Sequence, residues 1–350
     1  MGWIGLIDPR THEFRAPAEH RSVVPRGTIM IELKPLLADP PTTLLELDTG
    51  GSDNRLISLQ VLPEGFFALV IATGDGLTHG VVEGYRAGQL ENLRLTYAWD
   101  IDRDWARLAV ERPGQIGAEI AWIADPVPLH IEDVARILSG RANVMAPEIV
   151  FCAVSDQVEP IGPMPRLHAD TRVATDQGDE SIGGLAPGDG ILTQAGKSVP
   201  VIQCLRRTLP ARGSFRPIRL RAPYFGLRYD IVVSSEQALL LRGPDVEYNF
   251  GEDAVLVPAL HFVSGASADW VESGPFVQYA QPLLPRHEVI LAAGAPVDSL
   301  FAGRLRNRQS VLPETAFSDL PIEAMPVHRD MAYPVLQPFE AISLLRSSAA

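Results

Sequence analysis

The chain has little of several things, and each scarcity excludes something. Two cysteines, Cys152 and Cys204, are too few for a disulfide framework, and each lies in an apolar run that suits a small buried side chain. There is no basic excess. The formal net charge is -13, whereas a nucleic-acid binder needs a cationic face to neutralise phosphates. The acidic surplus serves solubility instead. No apolar run approaches the ~20 residues of a membrane span. The opening Met1-Gly2-Trp3-Ile4-Gly5-Leu6-Ile7 lacks the basic start of a cleaved secretory signal, and Asp8 and Pro9 break its apolar stretch. We therefore expect a soluble protein, cytoplasmic or exported without a cleaved leader, with no nucleic-acid partner and no cofactor.

Glycine and proline are plentiful, at 29 and 30 residues, and they punctuate short apolar runs. In the first half such runs fall at 27–33, 43–47, 55–61, 66–71, 78–82, 92–99 and 105–111. Several alternate apolar and polar with period two, as half-buried antiparallel strands do. Runs spaced in this way, with Gly, Pro, Asp or Asn between them, predict a β-sandwich. His130 to Gly140 predicts the clearest helix, with apolar residues at 131, 134, 137 and 138, acids in the first turn and Gly140 to end it. The loop Asp100-Ile101-Asp102-Arg103-Asp104-Trp105 carries alternating carboxylates that could offer oxygens to Ca²⁺. Trp105 stands where an EF-hand loop needs glycine, so a solvated turn is the plainer expectation for Asp100, Asp102 and Asp104.

Arg55–Gln60, Phe66–Leu69 and Leu93–Asp100 together resemble strands of laminin-G and concanavalin-A-like jelly rolls. That resemblance spans about 25–155 and implies a sandwich of a kind that often binds sugars or calcium.

The second half is organised around Met164 to Pro200. Here Thr171-Arg172-Val173-Ala174-Thr175 reads as a strand, Asp176–Asp179 as a turn, and Ser181–Leu185 as a brief apolar return. A second turn at Ala186–Asp189 and a strand at Ile191–Thr193 follow. Leu185-Ala186-Pro187-Gly188-Asp189-Gly190-Ile191-Leu192 and the preceding strand resemble the start of a Hint (hedgehog/intein) domain of bacterial type. The likeness continues at 230–237, 254–259 and 286–294, so it covers roughly 164–305. It implies a second all-β domain and, ancestrally, self-cleavage by an N-to-S or N-to-O acyl shift.

That chemistry needs a nucleophile at the first position and a base or oxyanion donor beside it. The family's first-position cysteine falls at Arg166, and its Thr-x-x-His falls on Ser234-Ser235-Glu236-Gln237. A glutamine amide donates hydrogen bonds but takes up no proton near neutral pH. His287 falls where the family often places a late polar residue. The sequence thus implies a Hint scaffold lacking both nucleophile and base, acting as a non-catalytic binding or structural module. Two rivals stay open. One is self-cleavage by an unorthodox nucleophile (Thr171, Ser234 or Cys152) assisted by His168 or His287. The other is carbohydrate binding through the sandwich. The partner implied is a protein or a carbohydrate of unspecified identity.

The expected organisation is a mostly β chain in five parts. A lead-in covers 1–24, the sandwich 25–155, a Pro-rich linker 156–165, the Hint-like domain 166–310 and a proline-interrupted extension 311–350, irregular but for a short closing element at 337–345. Arg206, Arg207, Arg212, Arg216, Arg219 and Arg221 form a basic cluster; an anion site stays open there, but pairing with carboxylates of the same chain is the plainer expectation.

Overall fold

Alternating apolar runs with turn residues between them can bury one face only by pairing edge to edge and stacking. The computed structural model shows that outcome twice. It describes residues 2–14, 22–36, 40–50, 54–74, 76–84 and 91–347, and the chain divides into two compact units, Met1–Gly162 and Pro163–Ala350. The architecture is mostly β, as expected. Among the described residues no helix is long and apolar enough to cross a membrane.

In the first unit a seven-stranded antiparallel sheet runs, from one edge, through Ala118–Ile123, Trp105–Glu111, Leu93–Asp100, Arg26–Leu33, Ile149–Ser155, Trp3–Ile7 and His12–Phe14. A five-stranded sheet runs through Val144–Met145, Thr42–Asp48, Leu56–Val61, Phe66–Thr73 and Gly76–Glu83. Ile29, Ile31, Tyr97, Trp99 and Leu108 from the first sheet share one core with Leu45, Leu47, Ile57, Leu59, Phe67 and Leu69 from the second. Trp99 is fully buried and stacks on Tyr97 with ring centroids 5.4 Å apart; its indole N–H donates to the Val24 carbonyl at 2.9 Å. A Cβ on Gly27 would lie 2.6 Å from the Ser155 carbonyl oxygen and 2.8 Å from the Trp99 ring. Only glycine lets that strand pass the indole so closely.

The structure corrects two boundaries. Residues 1–24 are not merely a lead-in: Trp3–Ile7 pairs antiparallel with Ile149–Ser155 and sits inside the sheet. Residues 15–21 of that stretch lie outside the described residues. Residues 157–162, expected within a linker, are tied to the sandwich. Thr28 Oγ1 donates to Gln157 O at 2.9 Å and accepts from Glu159 N at 2.8 Å. Gly162 N donates to Glu111 Oε1 at 2.6 Å. The expected helix is present at Ile131–Leu138. Its Asp133 is buried and receives both Nε and Nη2 of Arg55, at 2.7 and 3.0 Å.

The second unit also has two antiparallel sheets. One runs through Gln203–Pro210, Phe276–Leu283, Leu167–His168, Ile231–Ser234, Pro217–Leu220 and Ala268–Trp270. The other runs through Ser198–Pro200, Gly190–Leu192, Arg172–Thr175, Val289–Ala292, Ala295–Asp298, Ala238–Leu241 and Val255–Pro258, with Gly178–Ser181 paired to Arg172–Thr175. A helix at Pro244–Phe250, which the sequence reading lacks, has proline in its first turn and ends at Gly251 with φ 69°. That is the usual proline-in, glycine-out punctuation. The closing element expected at 337–345 is a helix, and the extension is tied to this unit. A parallel bridge joins Leu256 to Val335, and the helix Pro338–Ser347 buries Ala341 and Leu344 in the core of this unit.

Candidate functional site

Arg166 stands just before the two-residue strand Leu167–His168, which lies between Ile231–Ser234 and Phe276–Leu283. The Arg166 carbonyl accepts from Ser234 N at 2.7 Å. That bond sets the end of one strand against the head of the other. A tight turn follows, closed by Gln237 N donating to Ser234 O at 3.1 Å, and it carries Gln237 back toward Arg166. Asp298, the last residue of its strand, arrives from the second sheet. Sequence reasoning missed it, although a carboxylate in the run Val297-Asp298-Ser299-Leu300 was a signal worth weighing, because an acid among apolar neighbours is buried only when it has partners.

Asp298 is the hub, with 1 % exposure. Its Oδ1 accepts a very short hydrogen bond from Gln237 Nε2 and a 2.9 Å bond from Ala238 N. Its Oδ2 faces Arg166 Nη1 at 3.6 Å and His287 Nε2 at 3.7 Å. The other end of the Arg166 guanidinium meets Glu236 at 3.8 Å. Gln281, also missed from the sequence, donates to Gln237 Oε1 at 3.2 Å and to the Asp298 carbonyl at 3.0 Å. His287 accepts Ala332 N on Nδ1 at 2.9 Å, so in the neutral ring the proton sits on Nε2, toward Asp298. Ser234 Oγ, Gln281 Oε1 and His287 Nε2 are buried without a hydrogen-bond partner among the described residues.

The structure therefore brings Arg166, Ser234, Gln237 and His287 into one polar cluster and leaves the other candidates outside it. His168 is partly exposed; its Nδ1 accepts Asp170 N at 3.3 Å and lies 3.8 Å from the Asp170 carboxylate. Thr171 is buried, with its backbone N–H bonded to His168 O at 2.9 Å. Cys152 belongs to the first unit, where it is fully buried in the strand Ile149–Ser155, and burial pushes its thiol up to about 12. Cys204 is raised to about 11 by burial, partly offset by the Arg206 charge. A thiol held so far above neutrality supplies almost no thiolate.

The acidic loop is a turn between Leu93–Asp100 and Trp105–Glu111. Asp100 accepts Arg103 N at 3.3 Å and pairs with Arg103 Nε at 3.7 Å, while Asp104 adopts a left-handed φ of 54°. Asp102 and Asp104 are exposed. Among the described residues no group of three or more His, Cys, Asp or Glu side chains could hold a metal ion. Of the basic cluster, Arg221 pairs with Asp269 at 2.8 Å, whereas Arg216 stacks over Trp270 at 4.3 Å.

Residues 165–304 match the family model of the Hint domain. They form a Hint domain. It begins one residue before Arg166 and holds every member of the Asp298 cluster. Among solved structures, the gp41-1 intein is 12% identical with a TM-score of 0.26; the match covers 39% of this chain and 98% of that one. The CBM40 of a Ruminococcus gnavus IT-sialidase, bound to alpha2,6 sialyllactose, is 16% identical with a TM-score of 0.26, covering 38% and 77%. The LG1-3 region of the laminin alpha2 chain is 7% identical with a TM-score of 0.26, covering 86% and 56%. No curated protein matches the chain.

Proposed function

We propose that the Hint domain of this protein has lost self-cleavage and works as a non-catalytic binding or structural module. One observation carries the reading: an arginine occupies the head of the first strand, and its guanidinium is engaged with Asp298 and Glu236. An acyl shift begins when a thiol or hydroxyl on the first residue attacks the carbonyl before it. Arginine has neither group and stays protonated at any relevant pH. The second requirement is a group that accepts and returns a proton. Gln237 holds that place and spends its amide N–H groups on Asp298 and Ala238. The ion pair and the amide network replace a reactive centre with a closed structural one.

Restoring both groups tests this. The variant combining Arg166→Cys and Gln237→His should break before residue 166 in a thiol-dependent manner, while the native chain stays whole. Cleavage of the native chain overturns the proposal.

A second reading concerns the sandwich and rests on Trp122. It is 53% exposed on the edge strand Ala118–Ile123 and packs edge-on to Trp105 with centroids 5.7 Å apart. An exposed indole held in place by a second aromatic offers an apolar face with a polar tip, which suits the flat face of a sugar ring. Lactose titration should change the tryptophan fluorescence of the native protein and not of Trp122→Ala. No response from either removes this reading.

A further inference from the structure

The helix Pro338–Ser347 packs against the helix Pro244–Phe250 and against the helical turn Ala259–Phe262. The three do not close on one another completely. Between them lies a cavity of about 550 Å³, a size within the range of small-molecule sites. Its lining is mostly apolar: Val246, Phe262 and Leu344 are buried, and Phe225 and Leu241 are half-buried. Tyr224, Ser264 and Ala266 of the same lining are exposed, and the cavity opens on their side.

Two aromatic rings shape one wall. Phe225 and Phe262 pack edge to face, with centroids 4.7 Å apart and planes at 64°. Phe225 reaches that position with a left-handed φ of 59°, which a bulky side chain adopts only rarely. Such a pair leaves ring faces and edges for a third aromatic in the offset or T-shaped geometry that rings favour.

The polar groups of the lining are nearly all engaged. Arg242, which is exposed, donates to Gln194 Oε1 at 3.3 Å and to the Tyr333 hydroxyl at 3.1 Å. Ser267 Oγ donates to the Phe262 carbonyl at 3.3 Å, and Asp245 is engaged as well. Arg242 and Asp245 cancel in formal charge. His261 differs. It is half-buried, and among the described residues its ring has no hydrogen-bond partner. Burial lowers its pKa, so at neutral pH the ring is uncharged and offers one N–H donor and one acceptor nitrogen.

We infer that this cavity binds a small, uncharged aromatic alcohol, its ring packed among Phe225, Phe262 and Leu344 and its hydroxyl hydrogen-bonded to the His261 imidazole. An ionised ligand would lose hydration on entering and meet no buried counter-charge. The cavity shares no residue with the Asp298 cluster and does not depend on whether that cluster is silent.

The test uses 2-naphthol and the full chain. Equilibrium dialysis should show saturable binding, and the Phe225 and Phe262 ring resonances of the native protein should shift as the site fills. Naphthalene, which lacks the hydroxyl, should bind about fivefold more weakly, the worth of one neutral hydrogen bond. His261→Phe has no hydrogen bond to lose within the protein and should fold; it should bind both compounds equally. 2-Naphthoate should bind more weakly than 2-naphthol. Absent saturation, shifts that spare both rings, an undiminished preference for the hydroxyl in His261→Phe, or tighter binding of 2-naphthoate overturns the inference. The ring shifts need no variant and decide the site by themselves.

Discussion

Arg166 Nη1 lies 3.6 Å from Asp298 Oδ2, and the opposite oxygen of that carboxylate receives the Gln237 amide and the Ala238 N–H. One buried carboxylate thus holds both Arg166, just before the first strand of the second unit, and Gln237, in the turn after Ile231–Ser234. The same contacts that fill the centre also brace it, so changes there should appear in stability before they appear in chemistry.

Arg166→Met should destabilise the second unit by about 3 kcal/mol, because removing one partner leaves a buried carboxylate without its counter-charge. Arg166→Lys should recover part of the loss. Urea unfolding followed by a probe in the second unit measures it, and a native-like midpoint for Arg166→Met would show that the pair contributes little.

Much of this architecture is legible in the sequence. The alternation in 55–61 and 105–111 marks strands that bury one face, and Gly-Asp turns mark the start of the second domain. Trp3–Ile7 escaped notice because a nearly continuous apolar stretch shows no period of two; a strand with neighbours on both sides and largely buried residues has no reason to alternate. Gly243-Pro244 and Gly251 did signal the short helix between them, in residues too polar to show a core-facing stripe. Arg166 and Gln237 could be located by register alone. Asp298 could not, since its partners lie up to 132 positions away in sequence (Arg166 against Asp298) and no local pattern encodes them.

A second prediction concerns acid. His328 is buried, accepts Ala302 N on Nδ1 at 3.1 Å and so donates from Nε2 to Leu284 O at 2.9 Å. Burial lowers its pKa most; the Leu284 bond opposes that, and the nearby His287 adds to the lowering. The unfolded chain, with an ordinary value of about 6.5, therefore binds the proton more readily than the folded one. The stability His328 contributes is present above that value and is lost as pH falls below it. The melting temperature of the second unit should be lower at about pH 5 than at about pH 7.5, and His328→Gln should flatten the difference.

Neither thiol should react in the native state. Burial holds Cys152 up to about 12 and Cys204 up to about 11. Ellman's reagent at neutral pH should titrate no cysteine until denaturant is added and both afterwards. Rapid labelling of Cys152 in the folded protein would revive it as a nucleophile.

Gly27→Ala should destabilise the first unit by about 1–3 kcal/mol, the range for forcing an extra methyl into a packed interior, because its Cβ would press on Trp99 and the Ser155 carbonyl. Gly2→Ala, whose Cβ meets nothing within 4 Å, is the control. Equal thermal stability of the two variants would show that the strand shifts freely past the indole.

The most direct measurement is the intact mass of the purified protein during incubation at neutral pH, with and without dithiothreitol. A silent Hint centre predicts one species at 38.1 kDa in both conditions at every time point. Fragments that accumulate with time or with thiol, split on the N-terminal side of Arg166 or elsewhere between about residues 150 and 171, would contradict it, and their masses would identify the nucleophile.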